Sequence, residues 1–530
     1  MKRIIIHDAT PIAPFGEPAS ELRLLNKQLW LLQRDLLARH CKGMLQLDGI
    51  EELPDHFDEE HFVCKDNLFF NQELVDEFIT QARARRNACQ IAFALDDKAI
   101  TTHALPLATG IQRKGDVYVA EMYYFPAGKR HGPQPLVIDT QPYEMGYYNI
   151  PQYMAPQQGD LVFQVPNRVF LSIESWVHIY LASTPFGVFN WARQVDDLMQ
   201  RGRLANIRKW NRDDWRALRP KLELLLTSFG ERINPFEDHW RNHFLSCRKL
   251  VKVGKNCSID PTAIIHGPTI IGDNVYIGPG AVITNSLIGS NVNIMQGVQV
   301  MLSVISDRCF LPFNSAIFMS SLMDGSMVAQ NTCVQLGVIG RNTFIGAGST
   351  FTDFNLLGEP IRTLHRGKLE DVCTPVLGSA VGHHCKIGSG FYTYPGRMIG
   401  SNTVLILDND FNVIRRAVNV PQHDAPTPPE EDMHSEVQRT VYRWPYLYNP
   451  ETGELRDPRP RVQRDVPSAE TLDPVPDLDQ DYPHHSLVKQ QPSPAFEAGT
   501  HNALPLAAQT ERNAVAVSIN EPQSIYSGGA

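Results

Sequence analysis

Between residues 253 and 283 an aliphatic side chain returns at every sixth position: Val253, Ile259, Ile265, Ile271, Ile277 and Ile283. Small, turning or polar residues follow directly at Gly254, Asp260, His266, Gly272 and Gly278. The step resumes downstream as Ile288-Gly289, Ile339-Gly340, Ile345-Gly346, Ile387-Gly388 and Ile399-Gly400. A helix repeats at about 3.6 residues and a half-buried strand at about 2, so neither explains this spacing. It is the signature of a parallel β-helix, in which each hexad supplies one short strand and one turn. The aliphatic residue points into the coil and stacks on its equivalents about 4.8 Å above and below. Glycine, Asp or Asn then admits the positive φ that the turn requires.

Upstream the pattern alternates between strand and helix. Arg3 to His7 reads as a short buried strand, and Glu21 to His40 as a helix with Leu22, Leu25, Leu29, Leu32 and Leu36 in one stripe. Glu60 to Phe70 predicts a strand, and Asn71 to Arg86 a helix with Leu74, Phe78 and Ala82 on one face. A third strand is expected over Ile91 to Leu95. From Asp116 to Ser183 the chain is aromatic and β-rich, punctuated by proline and glycine. Phe186 to Phe229 reads as helical, with Trp191, Trp210 and Trp215 spaced for packing. The units expected are an α/β domain over 1–185, a helical connector over 186–250 and the coil over 251–410. A proline-rich tail, expected to be largely disordered, covers 420–530. Within it an aromatic island, Val441 to Tyr448, is placed to dock on the body.

Composition narrows the function. Hydrophobic residues make up 42% of the 530, enough for a core, and no apolar run of about 18 or more residues suggests a membrane span. The opening MKRIIIHDATP has too short an apolar run for a signal peptide. Nine cysteines without a C-x-x-C pair fit reduced thiols in a cytoplasmic protein. A net charge of −9 argues against a general nucleic-acid binder.

Candidate chemistry gathers where the hexads stop. Between Gly358 and Val376 the chain reads Glu359 to Asp371, with Arg362, Arg366 and Lys368 able to bind phosphate and His365 able to act as a base. The alternative is a solvated loop whose charges only keep it in water. His383 and His384 stand side by side at a turn, before Cys385 and Lys386. Zinc would need ligands converging from several strands, and His266, His365, His383 and His384 show no three-ligand spacing; ordinary turn histidines fit better. At the N-terminus, His7 to Gly16 holds one glycine, so no glycine-rich phosphate loop follows the first strand. Asp8 or Asp66 could hold Mg²⁺ there.

Val338 to Ser349, the loop after Phe354-Asn355 and Gly378 to Thr403 resemble the left-handed β-helix of the hexapeptide-repeat sugar nucleotidyltransferases and acyltransferases. The similarity is to the bifunctional N-acetylglucosamine-1-phosphate uridylyltransferase/glucosamine-1-phosphate acetyltransferase kind. Ile5 to Arg23 resembles a divergent nucleotidyltransferase-like N-terminal domain of that group. The resemblance implies a left-handed coil, a homotrimer, and acyl-CoA and sugar-phosphate pockets between coils. It puts Gln330 at the base position and Asp353-Phe354 where an Asn-Tyr pair holds the sugar, with a substrate lysine's place falling near Ser320. Glutamine cannot take up a proton as imidazole does. Ala347, Ser379 and Lys386 are placed along the CoA groove.

The function expected is a sugar-nucleotide-type transferase moving an acyl group from acetyl-CoA or another acyl-CoA to a phosphosugar or nucleotide sugar. His365 is its base and His383 or His384 the reserve; nucleotidyl transfer with Mg²⁺ by the N-terminal domain ranks second. The alternative is a non-catalytic scaffold that keeps the coil without its base.

Overall fold

The computed structural model describes residues 1–148, 161–192, 194, 250–355, 360–406, 412–418, 420 and 440–443. All belong to one compact unit, Met1–Asp465. Its first part is a seven-stranded mixed sheet built from β1 (Lys2–Ile6), β2 (Met44–Leu47), β3 (His61–Lys65), β4 (Cys89–Ala94), β5 (Ile111–Lys114), β6 (Val117–Phe125) and β7 (Gln134–Val137). The order is β7-β4-β6-β3-β1-β2, with β5 added beside the first half of β6. β1 lies one strand in from the edge and is parallel to both β2 and β3, whereas β6 runs antiparallel to β3 and β4. Strand alternation divides its isoleucines between two cores. Ile5 enters the main core with helices α1 (Leu29–Leu37) and α2 (Gln72–Arg85), while Ile4 and Ile6 join Phe57, Val63 and Phe125 on the other face.

Helix α2 forms where the pattern places it. Asn71 caps it by accepting from the Leu74 amide at 3.1 Å, and Leu74, Phe78 and Ala82 are buried together. The helix expected over Glu21 to His40 is shorter. Leu25 and Asn26 adopt positive φ and turn a small hairpin, Arg23–Leu24 with Lys27–Gln28, so only Leu29–Leu37 is helical. The reason is tertiary. The turn delivers Arg23 Nε to Asp324 at 2.8 Å and Asn26 Nδ2 to Asp307 at 3.1 Å on the coil, contacts that a continuous helix would forgo. The strand expected over Glu60 to Phe70 is likewise split into β3 and Leu68–Phe70, because Asp66 and Asn67 turn inward between them. The β-rich region ends before Ser183: Trp176–Ser183 is a fully buried helix, α3, capped by Ser175. Trp191 is half-buried, while Trp210, Trp215 and most of the helical stretch 186–229 lie outside the described residues.

The coil is a left-handed parallel β-helix, the parallel coil that the hexads predict with the hand that the family resemblance implies. Three ladders of short parallel strands run along it, through Val251–Val253 to Met398–Ile399, Ser258–Ile259 to Thr403–Ile406, and Ile264–His266 to Val413–Ile414. Equivalent residues are 18 apart on the first turn, as Val253 and Ile271, and 17 apart on the next turns, as Ile271 and Ile288. Ile277, Ile294, Leu311, Val328, Ile345 and Ile387 stack inside a core closed to solvent. Asn256, Asn274, Asn291, Asn342 and Asn402 hold positive φ, and neighbouring turn asparagines bond across turns, Asn274 to Asn291 at 3.2 Å. One turn is enlarged. Arg341 and His383, stacked one turn apart, are separated by 42 residues, because the segment after Phe351 leaves the coil as an antiparallel hairpin, Arg362–His365 with Lys368–Asp371.

The N-terminal domain packs on the coil through one shared core that holds α3 together with Leu302, Met319, Leu336, Val338 and Ala380, and α3 contacts the coil strand Val338–Ile339. The proline-rich tail lies outside the described residues except for Val420 and Thr440–Arg443. That segment, the start of the aromatic island, pairs antiparallel with Thr403–Ile406.

Candidate functional site

The carboxyl ends of β1 and β3 open into a cleft of about 900 Å³. In open α/β sheets this is the edge where ligands bind, because loops diverge there and leave a crevice. Asp8 follows β1, Lys65 ends β3 and Asn67 follows it; Gln90 comes from β4, and Glu121 and Tyr123 from β6. The opposite wall is Thr109, Gly110 and Glu174, closed by Leu364 to Gly367 from the coil's hairpin. The hairpin reaches the cleft through a two-residue turn. Arg366 and Gly367 both hold positive φ, which matches the twist of the paired strands, with His365 opposite Lys368.

Two contacts fix the hairpin. Trp176 Nε1 donates to Thr363 Oγ1 at 3.0 Å inside the protein. Arg366 Nη2 lies 2.8 Å from Glu174 Oε2 and 2.9 Å from Thr109 Oγ1. Glu174 also accepts from the Thr109 amide at 2.9 Å, Thr109 Oγ1 at 2.7 Å, the Gly110 amide at 2.7 Å and Ser172 Oγ at 2.8 Å. Burial opposes its charge, yet the bonds from Thr109, Gly110 and Ser172 outweigh that and hold its carboxyl below the usual glutamate range. The guanidinium is half exposed and screened, so these donors matter more than the ion pair.

His365 stands in the cleft wall 8% exposed, with Nε2 buried and without a hydrogen-bond partner. Burial first, then the Arg366 charge, pushes its pKa down against the pull of Glu370 and Glu174. A neutral imidazole with an unused nitrogen can act as a general base once that nitrogen, closed off from solvent here, comes within hydrogen-bond reach of a substrate. On the floor, Lys65 Nζ is 2.9 Å from Glu121 Oε2 and 3.4 Å from Asp8 Oδ2. Behind Asp8, Asp66 accepts the Asp8 amide at 2.9 Å and pairs with His7 Nδ1 at 2.6 Å. Burial still raises the Asp66 carboxyl above the ordinary aspartate value despite that partner.

Of the residues singled out in the sequence, the cleft brings together His365, Arg366 and Asp8. Arg362 and Lys368 are exposed on the hairpin outside the cleft lining. His383 is buried beneath the loop that follows β1, its ring 5.1 Å from that of Phe15. Its Nδ1 accepts from the Arg341 amide at 2.8 Å, and Nε2 faces Glu17 at 3.7 Å. Burial, reinforced by the Arg341 and His384 charges, lowers its pKa to about 3. His384 is exposed at a corner of the coil with φ of 56°. Gln330 is exposed, and its carbonyl accepts from the Gly348 amide at 3.0 Å. Asp353 is half-buried, and burial raises its pKa. With the Gln335 amide turned nitrogen-inward, that group donates to both Asp353 oxygens, at 2.9 and 3.1 Å. Ala347 is half-buried and Lys386 exposed, while Ser379 is fully buried and donates to the Tyr394 carbonyl at 2.8 Å. Among the described residues no group of three His, Cys, Asp or Glu side chains converges on a metal position. Lys65, Asn67, Glu121 and Glu174 went unremarked in the sequence. The usable signals were a polar pair, Asp66-Asn67, inside an apolar run, and one charge in the middle of β6.

Residues 251–285 match the model of the bacterial transferase hexapeptide family (six repeats). The coil is a hexapeptide-repeat domain. The chain is 32% identical over 98 residues to bifunctional protein GlmU of Ruthia magnifica subsp. Calyptogena magnifica, covering 18% of this chain and 22% of the relative. It is 23% identical over 216 residues to bifunctional protein GlmU of Marinobacter nauticus, covering 40% and 42%. Thus the chain spans less than half the length of these relatives. A solved UDP-N-acetylglucosamine acyltransferase from Campylobacter jejuni superposes with a TM-score of 0.21 at 14% identity, over 30% of this chain and 68% of that one. That likeness is too partial to bear on activity. No described helix is long and apolar enough to cross a membrane.

Proposed function

We propose that the chain is a sugar-nucleotide-type transferase whose substrate, a phosphosugar or nucleotide sugar, lies in the cleft between the N-terminal sheet and the coil's hairpin. The observation that carries this is His365: a residue of the hexapeptide coil stands in the N-terminal cleft with its Nε2 unpartnered. Acyl transfer suits this site, since an acceptor hydroxyl or amine must lose a proton to His365 as it attacks a thioester. The donor is then an acyl-CoA, as its similarity to hexapeptide-repeat transferases suggests. Amide and hydroxyl groups of Asn67, Gln90, Gln112, Thr10 and Tyr123 supply the hydrogen bonds a sugar needs. Arg366 and Lys65 are the cations that line the cleft and could meet a phosphate, whereas Arg362 and Lys368 lie on the hairpin outside it. Nucleotidyl transfer with Mg²⁺ fits less well. Asp8 and Glu121 are already paired with Lys65, and Asp66 with His7.

Calorimetric titration with acetyl-CoA and UDP-sugars tests the reading, followed by transfer assays on His365→Ala. The variant should keep ligand affinity and lose about 10²–10⁴ in kcat/KM. The acid limb of the wild-type profile should fall below 6.5, the side to which the imidazole is shifted. No binding of either ligand class at millimolar concentration would favour the second reading, a non-catalytic scaffold. The exposed Gln330 at the expected base position supports that alternative. Sedimentation tests the proposed homotrimer, and cell fractionation the proposed cytoplasmic residence.

A further inference from the structure

The cleft floor contains a cation of the chain's own. β1 and β3 are parallel neighbours and β6 pairs with β3 on its other side, so Asp8, Lys65 and Glu121 meet at one edge of the sheet. The ammonium lies between the two carboxylates, about a quarter exposed to the cleft. The carboxylate oxygens of Asp8 and Asp66 are committed. Asp8 Oδ1 accepts from the Thr10 amide at 3.0 Å, and Oδ2 from Asn67 Nδ2 at 3.2 Å as well as facing Lys65. Asp66 Oδ1 takes the Asp8 amide and Oδ2 pairs with His7. Among the described residues, Glu121 Oε1 is the one carboxylate oxygen of this set that accepts no bond, and the buried Asn67 amide oxygen is also without a partner. Mg²⁺ demands a near-octahedral shell of oxygens at about 2.0–2.1 Å. To enter, it would have to break both Lys65 contacts and set two positive charges side by side.

We propose that Lys65 is the resident cation of this cleft, filling the place between Asp8 and Glu121 that a divalent ion would otherwise take, so that ligands bind here without a metal. Protonation states agree. Burial works against both charges, but bonds from Thr10 and the Lys65 charge hold Asp8 below the aspartate range, and Glu121 and Asp8 raise the lysine. An ammonium has three N–H donors, of which two face the carboxylates. The third is left for an acceptor atom of the ligand, a sugar hydroxyl or a phosphate oxygen. What it implies for catalysis rests on the proposed function, but its test does not.

That test is Mn²⁺ titration of the full chain, read by electron paramagnetic resonance of the free ion with no substrate present. Wild type should show no saturable site at millimolar Mn²⁺. Lys65→Gln and Lys65→Met should bind Mn²⁺ at least about tenfold tighter, as expected when a like charge a few ångströms away is removed. Adding Glu121→Gln to Lys65→Gln should abolish the gain. Lys65→Arg, which keeps a cation, should behave as wild type and provides a folded control by circular dichroism. Wild-type binding that Glu121→Gln removes would overturn the proposal without any Lys65 variant, as would folded Lys65→Gln and Lys65→Met chains that gain no Mn²⁺ affinity. Absence of transferase activity would leave the outcome untouched.

Discussion

Removing Glu174 should loosen the hairpin that carries His365. Its side chain is 9% exposed and takes five hydrogen bonds, from the Thr109 amide and hydroxyl, the Gly110 amide, Ser172 and Arg366. In Glu174→Ala, Arg366 and Thr109 are exposed and turn to water, so their loss weighs little. The Gly110 amide and buried Ser172 keep fewer options, and each unsatisfied donor costs about 1–3 kcal/mol. The expected destabilisation is therefore about 2–6 kcal/mol, read by urea unfolding with tryptophan fluorescence, since Trp176 lies two residues away in the core. The pH dependence supplies a second reading. Glu174's folded pKa lies below its ordinary 4.5, so its contribution is full above 4.5 and is lost as pH falls through the folded value. Wild type should lose stability on that acid limb, and Glu174→Gln, which cannot titrate, should lose less. A Glu174→Ala loss below about 1 kcal/mol, with an acid limb unchanged in Glu174→Gln, would refute the view that this carboxylate anchors the hairpin.

Two further outcomes test the scaffold. Phe351 fills the coil's closed core on the last turn before the insertion; Phe351→Ala should destabilise by about 3–5 kcal/mol in chemical denaturation, and a near-neutral result would mean that the coil is hydrated inside. A Cβ on Gly346 would meet the Gly388 backbone at 2.3 Å; Gly346→Ala should therefore cost about 1–3 kcal/mol or more, with thermal melting as the measure and a wild-type midpoint as the contrary result.

The hexad spacing alone sufficed for the coil, because a parallel β-helix stacks each residue on its own equivalent one turn away. Ile271 meets Ile288 and Ile288 meets Ile305, so a local repeat in sequence is already a statement about tertiary contacts. Helix α2 was legible for the same kind of reason: its cap at Asn71 and its apolar face are local. The insertion was visible too, as a break in the repeat, with His365 and Arg366 in it.

Where the hairpin leads was not visible. Its contacts with Glu174, Thr109 and Trp176 join residues 187 to 257 positions apart, and no periodicity encodes such pairings. The same holds for Arg23 against the coil, which turned an apparent helix into a hairpin. It holds as well for Asp8, Lys65 and Glu121, each an ordinary polar residue on its own strand until the sheet order sets them side by side. Sequence by itself determined the repeating coil and its interruption, since these follow from neighbour-to-neighbour burial. Tertiary structure alone decided the cleft, because a site assembled from strand ends and a distant hairpin exists only once the order of the sheet and its docking on the coil are fixed.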